Sequence, residues 1–136
     1  TLKAFTRQLL EERQSNSDLP LPIYIDLREY TWDKKVDVDL NDILSHILKR
    51  SWKGGHAASP INPEDIINHV QENKALMIWD GLDEVIVHME PKHANDFIRQ
   101  LWRILPPLKQ DKKQNPNAGK ILISCRSHSL VGCRRL

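Results

Sequence analysis

Cysteine is nearly missing: Cys125 and Cys133 are the only two in 136 residues. A disulfide framework is thereby excluded, and a reducing compartment is implied. Charge of one sign is missing too, with 20 Lys and Arg against 18 Asp and Glu, a net +2. The strong positive field of a dedicated nucleic-acid or membrane-surface binder is therefore absent. No apolar run approaches the roughly 20 residues that span a bilayer, and residues 1–12 carry no signal-peptide pattern. The expectation from these absences is a soluble, cytoplasmic protein. Internal repeats are lacking as well; the tryptophans at 32, 52, 79 and 102 sit in unlike contexts. What is present, 40% apolar and 28% charged residues, is close to globular usage and excludes wholesale disorder. The length fits one domain. The chain opens at Thr1 directly on a helical pattern without Met, as a piece of a longer protein would.

Apolar periodicity divides the chain. Leu2, Phe5, Leu9 and Leu10 recur at helical spacing through residues 1–13. Pro20 and Pro22 then forbid helix, and the β-branched and aromatic residues after them predict a first strand at 23–27. Leu40, Ile43, Leu44, Ile47 and Leu48 form a helical stripe behind candidate caps Asp39 and Asn41, with Gly54-Gly55 as its stop. Asn62-Pro63-Glu64-Asp65 is a helix start, since Asn accepts from an orphan amide, Pro fits the first position and acids suit the positive helix end. Residues 75–79, Ala-Leu-Met-Ile-Trp, are an unbroken apolar run, as in a strand covered on both faces. Pro91 opens a long helix whose Ala94, Phe97, Ile98, Leu101, Ile104 and Leu105 face inward until Pro106-Pro107. Residues 109–119 read as a mobile surface loop, and 121–125 as another apolar strand. Strands alternating with helices predict an α/β fold: a parallel sheet with the second strand in the middle and helices on both faces. Ligands in such folds bind at the carboxyl edge.

That edge holds the unusual residues. Asp80-Gly81-Leu82-Asp83-Glu84 comes directly after the second strand. An acidic pentapeptide alone reads as an Asp-Gly turn with solvated acids. Placed after a buried strand, Asp80 is delivered to a fixed point where Mg²⁺ accepts carboxylate or carboxylate-held water. Gly81 leaves room for phosphate near the backbone, and a Glu a few residues on can polarise water. The third strand ends in Ser124-Cys125-Arg126, and Arg suits a terminal phosphate. His88 with His93, or Cys125 with His128 and Cys133, lack a paired zinc spacing. Trp79 reads as core, because alternation turns it away from Asp80.

Residues 76–84, Leu-Met-Ile-Trp-Asp-Gly-Leu-Asp-Glu, resemble the Walker B motif of NACHT domains, the signalling P-loop NTPases of the STAND class. Residues 121–126 are similar to the family's sensor 1 strand, and 21–30 to the strand between Walker A and Walker B. The resemblance spans residues 1 to about 126. It implies an incomplete parallel-sheet P-loop NTPase core of ASCE type, with ATP and Mg²⁺ as ligands. It implies further that Asp80 holds the metal through water, that Asp83 and Glu84 position and activate the attacking water, and that Ser124 and Arg126 contact the nucleotide. The family's behaviour implies an ATP/ADP switch coupled to self-oligomerisation and to flanking sensor and effector domains, in innate immune or antiphage defence.

No Gly-x-x-x-x-Gly-Lys-Ser/Thr occurs in the 136 residues. Thr1-Leu2-Lys3 is similar to the residues directly after that loop in the family, so the chain is expected to begin just past Walker A and to be inactive alone. Two other functions remain open. One is a non-catalytic α/β scaffold or interaction module whose acidic edge only binds a metal or a protein; the other is an AAA-type ATPase.

Overall fold

The computed structural model describes residues 1–34, 37–51, 61–106 and 118–125. Their elements follow the predicted order, with one short helix, α4, that is not predicted from the sequence: α1 (Leu2–Ser15), β1 (Leu21–Asp26), α2 (Leu40–Ser51), α3 (Pro63–Glu72), β2 (Ala75–Asp80), α4 (Leu82–Ile86), α5 (Pro91–Trp102) and β3 (Lys120–Ile123). The three strands form a parallel sheet in the order β1-β2-β3. Asp26 pairs in register with Asp80, and Trp79 with Ile123, so the three carboxyl ends lie side by side.

Of the predicted caps, Asn62 and Asp39 form, whereas Asn41 lies inside α2. The Asn62 side chain accepts from the Glu64 amide at 3.1 Å, with Pro63 in the first helical position of α3. Asp39 accepts from Asn41 N–H at 2.9 Å through its carboxylate, and from Ile43 N–H at 3.0 Å through its carbonyl. Pro22 is tolerated inside β1 because β1 is an edge of the described sheet, where a missing N–H breaks no ladder. The predicted Gly54-Gly55 stop and most of the predicted 109–119 loop lie outside the described residues.

Three boundaries differ from expectation, each for a local reason. β1 ends at Asp26, because its carboxylate accepts from Arg28 N–H at 3.0 Å and starts a 3-10 turn over Leu27–Glu29. α5 ends at Trp102, because the amides of Ile104 and Leu105 turn to the carbonyls three residues back and tighten the last turn. β3 ends at Ile123, yet the chain stays tied to its neighbour: Ser124 N–H donates to the Trp79 carbonyl at 2.9 Å.

Alternation along β2 separates two faces. Met77 and Trp79 join Ile43, Leu44 and Ile47 of α2, Val70 of α3, and Phe97 and Leu101 of α5 in one apolar core. Each of these fully buried large side chains contributes about 1.5–3 kcal/mol relative to exposure. Ile78 is equally buried but points the other way, toward the face that carries α1. Lys3 of α1 sits 5.9 Å from the centre of the Tyr24 ring, which locates α1 over that side. Helices thus cover both faces.

The α1 stripe is looser than its spacing predicts. Thr6 is its buried residue, its hydroxyl donating to the Leu2 carbonyl at 2.7 Å, whereas Phe5 and Leu10 are 40% and 42% exposed. Periodicity establishes that a helix has an apolar side; it does not establish how much surface is available to cover it.

Candidate functional site

The site begins with β2, whose burial on both faces leaves little freedom in where Asp80 is delivered. The Asp80 carboxylate is then held from both flanks. Tyr24 of β1 donates its hydroxyl to Oδ2 at 2.6 Å, and Ser124, just past β3, donates to Oδ1 at 2.5 Å. The same Ser124 Oγ accepts from Gly81 N–H at 3.0 Å, and the Ser124 carbonyl accepts from Leu82 N–H at 3.2 Å. One serine therefore ties the ends of β2 and β3 to the start of α4.

The electrostatics arise from those bonds. Burial opposes charge on Asp80, but the hydroxyls of Ser124 and Tyr24 and the nearby Arg28 outweigh it, and its pKa lies below the ordinary carboxylate value. Tyr24 is shifted the opposite way: burial first, then its bond to the Asp80 carboxylate, raises its pKa far above the usual phenol range. At neutral pH the pair is a neutral donor on an ionised acceptor.

Gly81 turns the chain with φ +84°, a left-handed conformation that favours glycine. That turn starts α4 at once and places Asp83 and Glu84 in its first turn, Asp83 half-buried and Glu84 exposed. Arg28, on the turn after β1, crosses over Gly81: a Cβ there would lie 3.2 Å from Arg28 Cγ. The Arg28 guanidinium is held by the Asp26 carboxylate in a two-pronged pair, Nε to Oδ1 and Nη2 to Oδ2, each 2.8 Å. Those bonds depress the Asp26 pKa.

Together these groups line an open cleft of about 300 Å³ at the carboxyl edge. Arg28 forms one wall, Asp80, Gly81, Asp83 and Glu84 the floor, and Ser124 and Cys125 the far side. Of the residues singled out from sequence, the structure brings Asp80, Asp83, Glu84 and Ser124 into this one cleft. Arg126 lies outside the described residues, as do His128 and Cys133. Tyr24, Asp26 and Arg28 fall within residues 21–30, whose resemblance to the strand between Walker A and Walker B assigns them no role. A signal for Arg28 exists all the same, since it comes after a strand at the carboxyl edge just as Arg126 does. Tyr24 can be found only with the β1–β2 register in hand, which sets it two residues behind the Asp26–Asp80 pair.

No group of three His, Cys, Asp or Glu side chains able to hold a metal occurs among the described residues. Mg²⁺ is commonly held instead by one or two carboxylates with water and substrate phosphates, and an ionised, immobilised Asp80 fits that mode. No helix among the described residues is long and apolar enough to cross a membrane. A scan against protein-family models gave no match, and searches of curated proteins and of solved structures gave none of significance. The functional reading therefore rests on the motifs and on the geometry of this cleft.

Proposed function

We propose that these residues are the Walker B to sensor 1 portion of a NACHT-type P-loop NTPase domain, the ATP-driven switch of a STAND-class signalling protein. The observation that carries this reading is the clamped Asp80: a carboxylate at the end of the middle strand, fixed by hydroxyls from both neighbours and succeeded directly by a glycine turn and two acids. In the proposal the phosphate loop is supplied by residues outside these 136. ATP/ADP state would then govern self-association and flanking sensor and effector domains, in cytoplasmic innate immune or antiphage signalling.

The geometry suggests a division of labour. Asp80 is the residue that would hold Mg²⁺ through water, and its two hydroxyl partners keep it ionised and in one orientation. The metal, when bound, supplies charge neutralisation for the phosphates. Glu84 is exposed to the cleft one helical residue beyond Asp83, where a carboxylate can accept a proton from water. Asp83 positions that water beside it. Ser124 links the floor of the site to the strand from which Arg126 would reach the terminal phosphate.

The test is Glu84→Gln in the full-length protein. ATP binding is expected to survive, and hydrolysis to fall by about 10²–10⁴-fold, the usual contribution of a positioned general base. Asp80→Ala is expected instead to weaken Mg²⁺-dependent binding. A Glu84→Gln variant that hydrolyses ATP at the normal rate removes the assignment. The alternative is the non-catalytic scaffold, whose acidic edge only binds a metal or a protein. Full-length protein that binds no nucleotide decides for it.

A further inference from the structure

The cleft has an electrostatic problem. Asp26, Asp80, Asp83 and Glu84 surround it or stand at its rim, and a polyphosphate entering such a site is repelled unless cations meet it. Among the described residues the cation in the cleft wall is Arg28. Its side chain is 47% exposed yet bonded at both Nε and Nη2. Asp26 takes the Nε and Nη2 edge in the two-pronged pair and also accepts from the Arg28 backbone N–H, which fixes both the guanidinium plane and the turn that carries it. The methylene stem lies against Gly81, which without a Cβ lets it cross the cleft mouth.

That arrangement leaves Nη1, and with it the end-on face of the guanidinium, without a hydrogen-bond partner among the described residues. The acids that feel its charge besides Asp26 are Asp80 and Glu84, the residues placed at the metal and at the attacking water. A planar fork braced on one side by a carboxylate and open on the other is the form in which Arg recognises an oxyanion.

We infer that Arg28, braced by Asp26, is a second phosphate-binding residue of this cleft, meeting the terminal phosphate of the nucleotide beside the Arg126 of the proposed function. The inference rests on the NTPase reading above and deepens it. Arg28 would discriminate ATP from ADP because it lines the same cleft as Asp80 and Glu84, the residues that the proposed function assigns to the metal and the attacking water. Asp26 is a positioning residue: it acts through Arg28 and touches no ligand.

The experiment uses the full-length protein and measures affinity for Mg·ATP and Mg·ADP by calorimetry, for wild type, Arg28→Gln, Arg28→Lys and Asp26→Asn. Arg28→Gln is expected to weaken ATP binding by about tenfold or more, the scale of one charge-assisted contact, while ADP binding changes by less than about threefold. Arg28→Lys should recover only part of the loss, because an ammonium lacks the fork. Asp26→Asn should lower the ATP/ADP ratio in the same direction by a smaller factor. As a measurement independent of folding in the variants, the Arg28 side-chain N–H resonance of wild type should shift on addition of tripolyphosphate with Mg²⁺. Equal loss of ATP and ADP affinity, or no loss, in Arg28→Gln overturns the inference and leaves the NTPase reading standing. An unmoved Arg28 resonance in protein that does bind ATP overturns it as well. Wild-type protein that binds neither nucleotide overturns both.

Discussion

The two faces of the sheet are built on different principles, although consecutive residues of β2 serve both. Met77 and Trp79 point into a dry core in which Leu101 and Phe97 are fully buried. Ile78 and Asp80 point to the α1 side, where Tyr24 and Ser124 are half-buried and Phe5, Leu10 and Leu122 are exposed. The first face is stabilised by area removed from water. The second is held by a hydroxyl–carboxylate–hydroxyl chain, in which each polar group offsets the desolvation of its partner. The contrast teaches that a strand can be anchored from one side so that chemistry can be presented on the other.

The largest effects should therefore come from the dry face. Leu101→Ala removes a side chain with no solvent contact and is expected to lower unfolding free energy by about 2–5 kcal/mol in denaturant titration. A loss below about 1 kcal/mol would mean that this face is not the anchor. Next comes Gly119, just before β3, whose N–H donates to the Val70 carbonyl at 2.8 Å and where an added Cβ would collide with that same oxygen. Gly119→Ala must push β3 away from α3, and the expected cost is about 1–3 kcal/mol, the range for overpacking. An unchanged midpoint would show that β3 is not pressed against α3 in solution.

Much of the dry face is legible in the sequence. The apolar run before Asp80, the Asn62-Pro63 start and the Phe97-Ile98-Leu101 stripe each obey a period or a cap that works at short range. The strand order is legible as well, because parallel neighbours need long crossovers and each interval contains a helix. The wet face is only half legible. Asp80, Asp83, Glu84 and Ser124 announce themselves as polar groups at strand ends, but Tyr24 is an aromatic in an apolar strand and reads as packing. Its role depends on a partner 56 residues away, which is a property of register rather than of local pattern. The exposure of Phe5 and Leu10 is hidden for the same reason. Helical spacing specifies a side, and tertiary contact decides what covers it.

A smaller effect, with a pH signature, belongs to the bond between the wet strands. Tyr24→Phe deletes the donor to Asp80 Oδ2 and should cost about 1–2 kcal/mol at neutral pH, as for a part-buried bond to a charged acceptor. Linkage sets the sign of the pH dependence. The Tyr24 pKa is raised by folding, so its stabilisation is fully present below the ordinary value of 10.0 and is lost as pH rises beyond it. The Asp80 pKa is lowered, so its contribution is present above the ordinary 3.8 and is lost as pH falls below it. Tyr24→Phe should therefore flatten the alkaline limb of a stability–pH curve and weaken the acid limb. A variant whose alkaline limb matches wild type would show that the hydroxyl is not committed to Asp80.

The smallest expected effect makes the comparison sharpest, because it repeats the largest one chemically. Leu10→Ala deletes the same atoms as Leu101→Ala, but Leu10 stands 42% exposed on α1, over the wet face. Truncation there leaves little cavity, and helix propensity moves in favour of Ala, so the change should stay within about 0.5 kcal/mol. The difference between the two substitutions then measures the asymmetry of the sheet directly, with the side chain held constant and only the face changed. A Leu10→Ala loss approaching that of Leu101→Ala would mean that the α1 side is buried in solution by something beyond the described residues. The polar cluster around Asp80 would then lie beneath a second core rather than beside a half-open helix.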